Sequence, residues 1–82
     1  MRTEVKVPEI AAEQDVIRLV TCYVKDGDLV EADTALCLLE TTKASFEVAA
    51  EKKGYVKLLK AEGDVVSSKE TICIIGDSPE EL

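Results

Sequence analysis

The sequence predicts an all-β fold, a sandwich or flattened barrel built from about eight short strands. Helical periodicity is almost absent from the chain. Its apolar segments are short, rich in Val, Ile, Leu and Thr, and separated by turn signals, as in β proteins. The second half repeats the pattern of the first, which indicates two similar sheets related by a pseudo-two-fold axis.

In the first half, Val5 and Val7 alternate with polar residues until Pro8 ends the segment. The run 16–24 is a longer strand candidate, and the Asp and Gly residues at 26–28 predict a turn after it. A short apolar pair at 29–30 follows, and the run 36–40 has the composition of a buried strand.

The second half begins after the strand candidate at 45–48, which alternates Phe46 and Val48 with polar residues. Gly54 is interpreted as a turn residue that leads into the strand candidate 55–59. A second Gly–Asp turn at 62–64, an apolar pair at 65–66 and a final strand at 72–75 complete the pattern.

The repeat has a period of 36 residues. Segment 27–30 aligns with 63–66, and segment 36–39 aligns with 72–75. The alignment pairs the segment around Lys43 with the residues that follow Ile75. The two segments are therefore predicted to lie at opposite ends of the domain.

Charge and composition exclude several functional classes. Seventeen acidic and ten basic residues give the 82-residue chain a net charge of −7, which argues against nucleic acid or an anionic membrane as partners. The sequence has no histidine, which excludes the usual Ser–His–Asp and Cys–His nucleophile systems. It also lacks a phosphate-binding or metal-ligating motif, so a non-catalytic domain is expected.

The three cysteines predict a reducing environment. Cys22, Cys37 and Cys73 are odd in number and form no C-x-x-C pair, so a disulfide framework is not expected. We interpret them as small apolar residues of the core in a reducing compartment. The expected location is the cytoplasm, or the mitochondrial matrix if the organism is a eukaryote.

Lys43 is the candidate functional residue. It lies between two strand candidates, and the intervening residues 41–44 have the length of a hairpin loop. The loop contains neither Gly nor Asn, so a type I turn is expected rather than a primed turn. A lysine at such a tip is open to a modifying enzyme, although an ordinary solvated turn lysine fits the same pattern.

Glu40-Thr41-Thr42-Lys43-Ala44, set between the two Gly–Asp half-repeats, resembles the attachment turn of lipoyl domains in the biotinyl/lipoyl carrier family. The resemblance runs from about Val5 to Ile75. It implies a flattened barrel of two four-stranded antiparallel sheets with pseudo-two-fold symmetry. It also implies a carrier domain at 1–76, with 77–82 as a tail or the start of a linker.

The resemblance implies a function as well. Lys43 is expected to carry lipoate in amide linkage, as a swinging arm that moves acyl groups and electrons between the active sites of a 2-oxo acid dehydrogenase complex. The modifying enzyme is expected to recognise Glu40, Thr42, Ala44 and Gly27, and the Gly27 turn is expected to pack near the hairpin. Thr42 departs from the family, which usually has Asp at this position.

The resemblance also implies partners. These are lipoate–protein ligase or lipoyl transferase, and the 2-oxo acid dehydrogenase, acyltransferase and dihydrolipoyl dehydrogenase components. The domain itself is expected to be monomeric.

Three alternatives stay open. A biotin carrier domain usually has Met on both sides of the lysine, whereas Thr42 and Ala44 flank Lys43. An unmodified adaptor domain with the same fold usually lacks a lysine at the tip. The glycine-cleavage carrier protein is lipoylated but longer than this chain.

Overall fold

The computed structural model describes residues 2–9 and 16–82 and confirms the all-β fold. Eight strands form two four-stranded sheets within these residues. The strands are β1 (Thr3–Lys6), β2 (Ile17–Cys22), β3 (Leu29–Val30), β4 (Ala35–Glu40), β5 (Ser45–Ala49), β6 (Gly54–Leu58), β7 (Val65–Val66) and β8 (Thr71–Gly76), followed by a 3-10 helix at Pro79–Glu81.

The two sheets have matching strand orders. One is β1-β8-β6-β3 and the other is β5-β4-β2-β7, with every pair antiparallel. Each sheet contains strands from both halves of the chain. Neither half can complete a sheet alone, so the repeat folds as one interleaved unit.

The Gly–Asp turns explain why the repeat needs these residue types. Gly27 and Gly63 have φ angles of +89° and +95°. Residues with a Cβ atom rarely adopt this backbone conformation, whereas glycine adopts it readily. The carboxylates of Asp28 and Asp64 each accept a hydrogen bond, 2.9 Å long, from the backbone N–H three residues earlier. Glycine supplies the backbone conformation and aspartate closes the turn.

A second pair of related turns has no glycine. Asp33 and Lys69, again 36 residues apart, have φ angles of 70° and 69°. The N–H of Lys69 donates to the carbonyl of Val7 (2.9 Å), and that of Asp33 donates to the carbonyl of Ala50 (2.7 Å). These long-range bonds hold both residues in a conformation that their sequence does not signal.

The core lies between the two sheets. Burial alternates along β2 from Ile17 to Val20, as expected for a sheet with one buried face, whereas five consecutive residues of β8 are buried. Burial of an aliphatic side chain of this kind stabilises the fold by about 1.5–3 kcal/mol. The buried apolar residues are Val5, Val7, Ile17, Leu19, Val30, Leu36, Cys37, Leu39, Val48, Ala50, Val56, Val66, Ile72, Cys73, Ile74 and Ile75.

The cysteines are free thiols, as the sequence predicts. Cys37 and Cys73 are buried and Cys22 is half-buried. Burial raises the pKa of the Cys37 thiol to about 11 and that of the Cys73 thiol to about 12. Both thiols therefore stay protonated and unreactive near neutral pH.

Residues 77–82 fold against the domain. The backbone N–H of Asp77 donates to Glu81 Oε1 at 2.6 Å, and Lys52 Nζ lies 2.9 Å from Asp77 Oδ1. The side chains of Glu81 and Leu82 approach Gly76 at the end of β8. The segment thus forms a short 3-10 helix that contacts the end of β8, although its composition resembles that of a linker.

The β4–β5 hairpin projects away from this packed end. Ala50 follows β5, and its N–H donates to the carbonyl of Thr34, which precedes β4. The nearby Lys52 is the partner of Asp77 at the C-terminal end. From there β4 extends over six residues, or about 20 Å, toward Lys43. The hairpin tip and the C-terminal segment therefore lie at opposite ends, as the repeat predicts.

A carboxylate in the second half makes the stability sensitive to acid. Lys60 Nζ lies 2.7 Å from Glu70 Oε2, and the Ser67 N–H donates to Glu70 Oε1 at 2.9 Å. The lysine first, and then the backbone donor, lower the pKa of Glu70 below its ordinary value of 4.5. The resulting stabilisation is present above that value and is lost as the pH falls through the lowered pKa.

We therefore expect Glu70→Gln to lower the midpoint temperature of unfolding at neutral pH and to reduce its further fall on acidification. Thermal unfolding from about pH 7 to about pH 3 measures both effects. Glu31→Gln is the matched control, because Glu31 and Lys53 are both well exposed and lie 3.7 Å apart. Parallel curves for wild type and Glu70→Gln would contradict this assignment.

Candidate functional site

The β4–β5 hairpin holds Lys43 at its tip. Glu40 pairs with Ser45 in the antiparallel register, and Leu39 pairs with Phe46. Leu39 is fully buried and Phe46 packs against the core, which fixes the hairpin on the domain. Residues 42–45 beyond this anchor are exposed, so the Lys43 side chain points into solvent.

The turn is not a primed turn, as the sequence predicts. Neither Thr42 nor Lys43 has a positive φ angle, which types I′ and II′ require. The N–H of Thr41 donates to the carbonyl of Ala44 at 2.8 Å and closes the hairpin. The φ angles therefore exclude a primed turn, and the type I conformation stays a prediction.

The Thr41 hydroxyl organises this turn. Its Oγ1 accepts hydrogen bonds from the backbone N–H groups of Lys43 and Ala44, both 3.2 Å long. It also donates to the Ala44 carbonyl at 3.3 Å. Thr41 is not among the site residues predicted from the sequence, although a threonine hydroxyl can bond to the backbone two residues ahead, which is a signal for this role.

Glu40 lies beside Lys43 on an open depression. The cavity has a volume of about 180 Å³ and is lined by Val16, Arg18, Glu40, Thr41 and Thr42. Arg18 faces Glu40 across the strand register, and its Nη1 donates to the Gly63 carbonyl at 3.5 Å. The surface next to the lysine therefore offers an acidic group, a basic group and threonine hydroxyls.

The structure brings three of the predicted recognition residues to Lys43. Glu40, Thr42 and Ala44 are all exposed at the hairpin end. Their role in recognition stays a prediction.

Gly27 is in a different place. Its N–H donates to the carbonyl of Val56 at 2.7 Å, so its turn packs on β6 in the sheet that does not contain the hairpin. The prediction that the Gly27 turn packs near Lys43 is wrong. The related Gly63 turn takes that position, because its N–H donates to Leu19 in β2, beside Arg18.

Several other lysines are held by carboxylates. Lys52, Lys53, Lys60 and Lys69 each lie within 4.0 Å of an acidic side chain. For Lys43, no side-chain partner is found in the part of the chain that the structure describes. Its amine is therefore presented without a competing ion pair from these described residues.

A larger depression lies away from the hairpin. It has a volume of about 500 Å³ and is lined by Cys22, Asp26, Leu58, Leu59, Lys60, Ala61, Glu62 and Asp64. Burial and the neighbouring carboxylates of Glu62, Asp26 and Asp64 raise the pKa of the Cys22 thiol. The thiol is therefore a poor nucleophile, and the described residues form no group suited to hold a metal ion.

Comparison with protein families gives one match along most of the chain. A biotin and lipoyl family model, described as "Biotin-requiring enzyme", matches residues 3–75.

Within residues 2–9 and 16–82, no helix is long and apolar enough to cross a membrane.

Similar curated proteins are components of dehydrogenase complexes. A dihydrolipoyllysine-residue acetyltransferase component of the pyruvate dehydrogenase complex from Pseudomonas aeruginosa is 44% identical over 70 residues, or 83% of this chain. A dihydrolipoyllysine-residue succinyltransferase component of the 2-oxoglutarate dehydrogenase complex from Staphylococcus saprophyticus is 36% identical over 75 residues, or 90% of this chain. The matches cover 12% and 18% of those longer proteins.

A solved structure has the same fold. The lipoyl domain of the 2-oxoglutarate dehydrogenase complex from Azotobacter vinelandii, determined by NMR, aligns with a TM-score of 0.69 and 31% identity. The alignment covers 84% of this chain and 89% of that domain.

Proposed function

Since the chain belongs to the biotinyl/lipoyl carrier family, we propose that it works as a lipoyl carrier domain with lipoate joined to Lys43. The linkage is an amide between Lys43 Nζ and the carboxyl group of lipoate. The observation that carries the proposal is the exposed amine at the hairpin tip, at the opposite end of the domain from the packed C-terminal segment.

The residues at the tip fit such a group. The Lys43 side chain is exposed and has no side-chain partner among the described residues. The turn beneath it is closed by the Thr41–Ala44 backbone bond and by the Thr41 hydroxyl. The amine can therefore receive a long substituent without disturbing the core.

The protein and the attached group have separate tasks. When bound, the dithiolane of lipoate supplies the acyl-transfer and redox chemistry. The hairpin presents the amine, and the sheets keep the hairpin in place. Attachment through one covalent arm also raises the effective concentration of a carried group at each active site within reach.

The names of the relatives support the class of partners. Both are acyltransferase components of 2-oxo acid dehydrogenase complexes. We infer that this domain is loaded by lipoate–protein ligase or lipoyl transferase. We further infer that it exchanges groups with dehydrogenase, acyltransferase and dihydrolipoyl dehydrogenase components, and that it has no catalytic activity of its own.

Lipoate is favoured over biotin by the residues around the amine. Biotin carrier domains usually have methionines on both sides of the lysine, whereas Thr42 and Ala44 flank Lys43. The carboxylate of Glu40 lies at the end of β4 on the same tip. A polar, acidic tip of this kind supports the lipoyl assignment.

Intact mass spectrometry after incubation with lipoate–protein ligase, lipoate and ATP tests the proposal. A parallel reaction with biotin–protein ligase and biotin is the comparison, and tandem mass spectrometry locates the adduct. We expect one lipoyl adduct on Lys43. A biotinyl adduct would assign the domain to biotin-dependent enzymes, and no adduct in either reaction would favour an unmodified adaptor domain.

We expect Glu40→Gln to slow lipoylation on the order of threefold or more, because an exposed charge beside an interaction site mainly affects the rate of association. Initial rates with both ligases measure the effect and any new biotinylation. Glu51→Gln removes an exposed carboxylate at the other end of the hairpin and is the matched control. Equal rates and equal selectivity in wild type and Glu40→Gln would remove Glu40 from the recognition site.

A further inference from the structure

Among the described residues of the hairpin tip, the Thr41 side chain makes the largest number of hydrogen bonds. Its hydroxyl makes three contacts of 3.2–3.3 Å, accepting from two backbone N–H groups and donating to one carbonyl. One of these N–H groups belongs to Lys43 itself. Thr41 is also half-buried, whereas the four residues that follow it are exposed.

The backbone geometry explains why the turn needs this hydroxyl. Two-residue hairpins usually have primed turns, because their twist matches that of the strands, whereas a type I turn splays the strands apart. Residues 42 and 43 have no positive φ angle, so this hairpin lacks a primed turn whose twist would match that of its strands. The Ala44 N–H donates to Thr41 Oγ1, and the side chain thus supplies a link across the turn.

We propose that Thr41 is a positioning residue for the modification of Lys43, holding the backbone of the turn in the form that the lipoate-attaching enzyme binds. This inference rests on the proposed lipoyl function and extends it to a residue that does not contact the acceptor amine. Thr41 acts through the backbone N–H groups of Lys43 and Ala44. Its hydroxyl takes no part in forming the amide bond.

The expected consequence concerns binding more than chemistry. Without the hydroxyl, the backbone of the turn samples other conformations and only a fraction of molecules is ready to bind. The apparent affinity falls in proportion to that fraction. Loss of two or three exposed hydrogen bonds corresponds to roughly a tenfold rise in KM for the domain, while kcat stays within about twofold.

The test compares Thr41→Val with Thr41→Ser. Valine has nearly the shape of threonine but no oxygen, whereas serine keeps the hydroxyl. Thr34→Val is a second control, because Thr34 precedes β4 at the end of the hairpin opposite Lys43 and its hydroxyl makes no hydrogen bond to the residues that the structure describes. Initial rates of lipoylation by lipoate–protein ligase with free lipoate and ATP give KM and kcat for each variant.

Amide hydrogen exchange provides a readout that does not depend on the enzyme. We expect faster exchange at Lys43 and Ala44 in Thr41→Val, with wild-type exchange at core residues such as Leu39. Thr41→Ser and Thr34→Val should have wild-type exchange at the turn and a wild-type KM. A rise in KM only in Thr41→Val, together with faster exchange at the turn, supports the positioning role.

Three results would overturn the proposal in distinguishable ways. If wild type is lipoylated on Lys43 and Thr41→Val has the same KM, the positioning role is wrong and the proposed function stands. If the wild-type domain receives no lipoyl group, the proposed function fails, and the positioning role fails with it. A drop in kcat with unchanged KM would also contradict the inference, because it would implicate Thr41 in the chemical step.

Discussion

Replacement of Lys43 with arginine is expected to abolish lipoylation and leave the fold unchanged. The guanidinium group keeps the positive charge but stays protonated at accessible pH, so it cannot form the amide. The side chain is exposed at a hairpin tip and makes no recorded side-chain contact among the described residues. We therefore expect the free energy of unfolding to change by no more than about 0.5 kcal/mol.

Intact mass after the ligase reaction and thermal unfolding measure the two parts of this prediction. Lys57→Arg is the matched control, because Lys57 is also exposed but lies in β6 on the other sheet. It should be lipoylated like wild type. An adduct that persists in Lys43→Arg would move the attachment to another lysine, and a large loss of stability would mean that Lys43 is packed against the fold.

Gly54→Ala is expected to have the largest effect on stability. A Cβ atom at Gly54 would lie 2.5 Å from Ile75 Cγ2 and 2.7 Å from the carbonyl oxygen of Gly76. Ile75 is fully buried and Gly76 is backbone in β8, so neither can move aside cheaply. We expect a loss of about 3 kcal/mol, a large part of the roughly 4–12 kcal/mol available to a domain of this size.

Thermal or urea unfolding checks this prediction, and a loss of about 3 kcal/mol corresponds to a fall of about 12 °C or more in the midpoint temperature. Gly27→Ala is an informative control. No atom lies within 4 Å of a Cβ placed there, and the cost comes only from the φ angle of +89°. We expect that variant to lose about 1 kcal/mol, and equal losses in the two would contradict the close approach at Gly54.

The contrast between these two glycines shows how far sequence patterns reach. Gly27 belongs to a repeated Gly–Asp motif, and the motif predicts both a turn and a need for glycine. Gly54 has no such motif, and its sequence predicts only an ordinary turn residue before a strand. Its close approach depends on β8, which follows it by seventeen residues and crosses beside it in the sheet.

The candidate site divides in the same way. The sequence predicts an exposed lysine at a hairpin tip, and in the structure Lys43 is exposed there together with Glu40, Thr42 and Ala44. The placement of the Gly27 turn was wrong, because two turns with the same local pattern lie on different sheets. The Gly63 turn lies at the hairpin end of the sheet, because its carbonyl accepts a hydrogen bond from Arg18, which pairs with Glu40.

The sequence by itself determined the eight strands, the Gly–Asp turns and the exposed position of Lys43. These features depend on the alternation of apolar residues and on the φ angles that individual residues tolerate, both of which act over a few neighbouring positions. The tertiary structure decided the assignment of strands to sheets, the register shift in β2 at 19–21, the tight contact at Gly54 and the turn that neighbours the lysine. Those features depend on pairing between residues far apart in the chain, where packing of the two sheets selects one arrangement from several with the same local pattern.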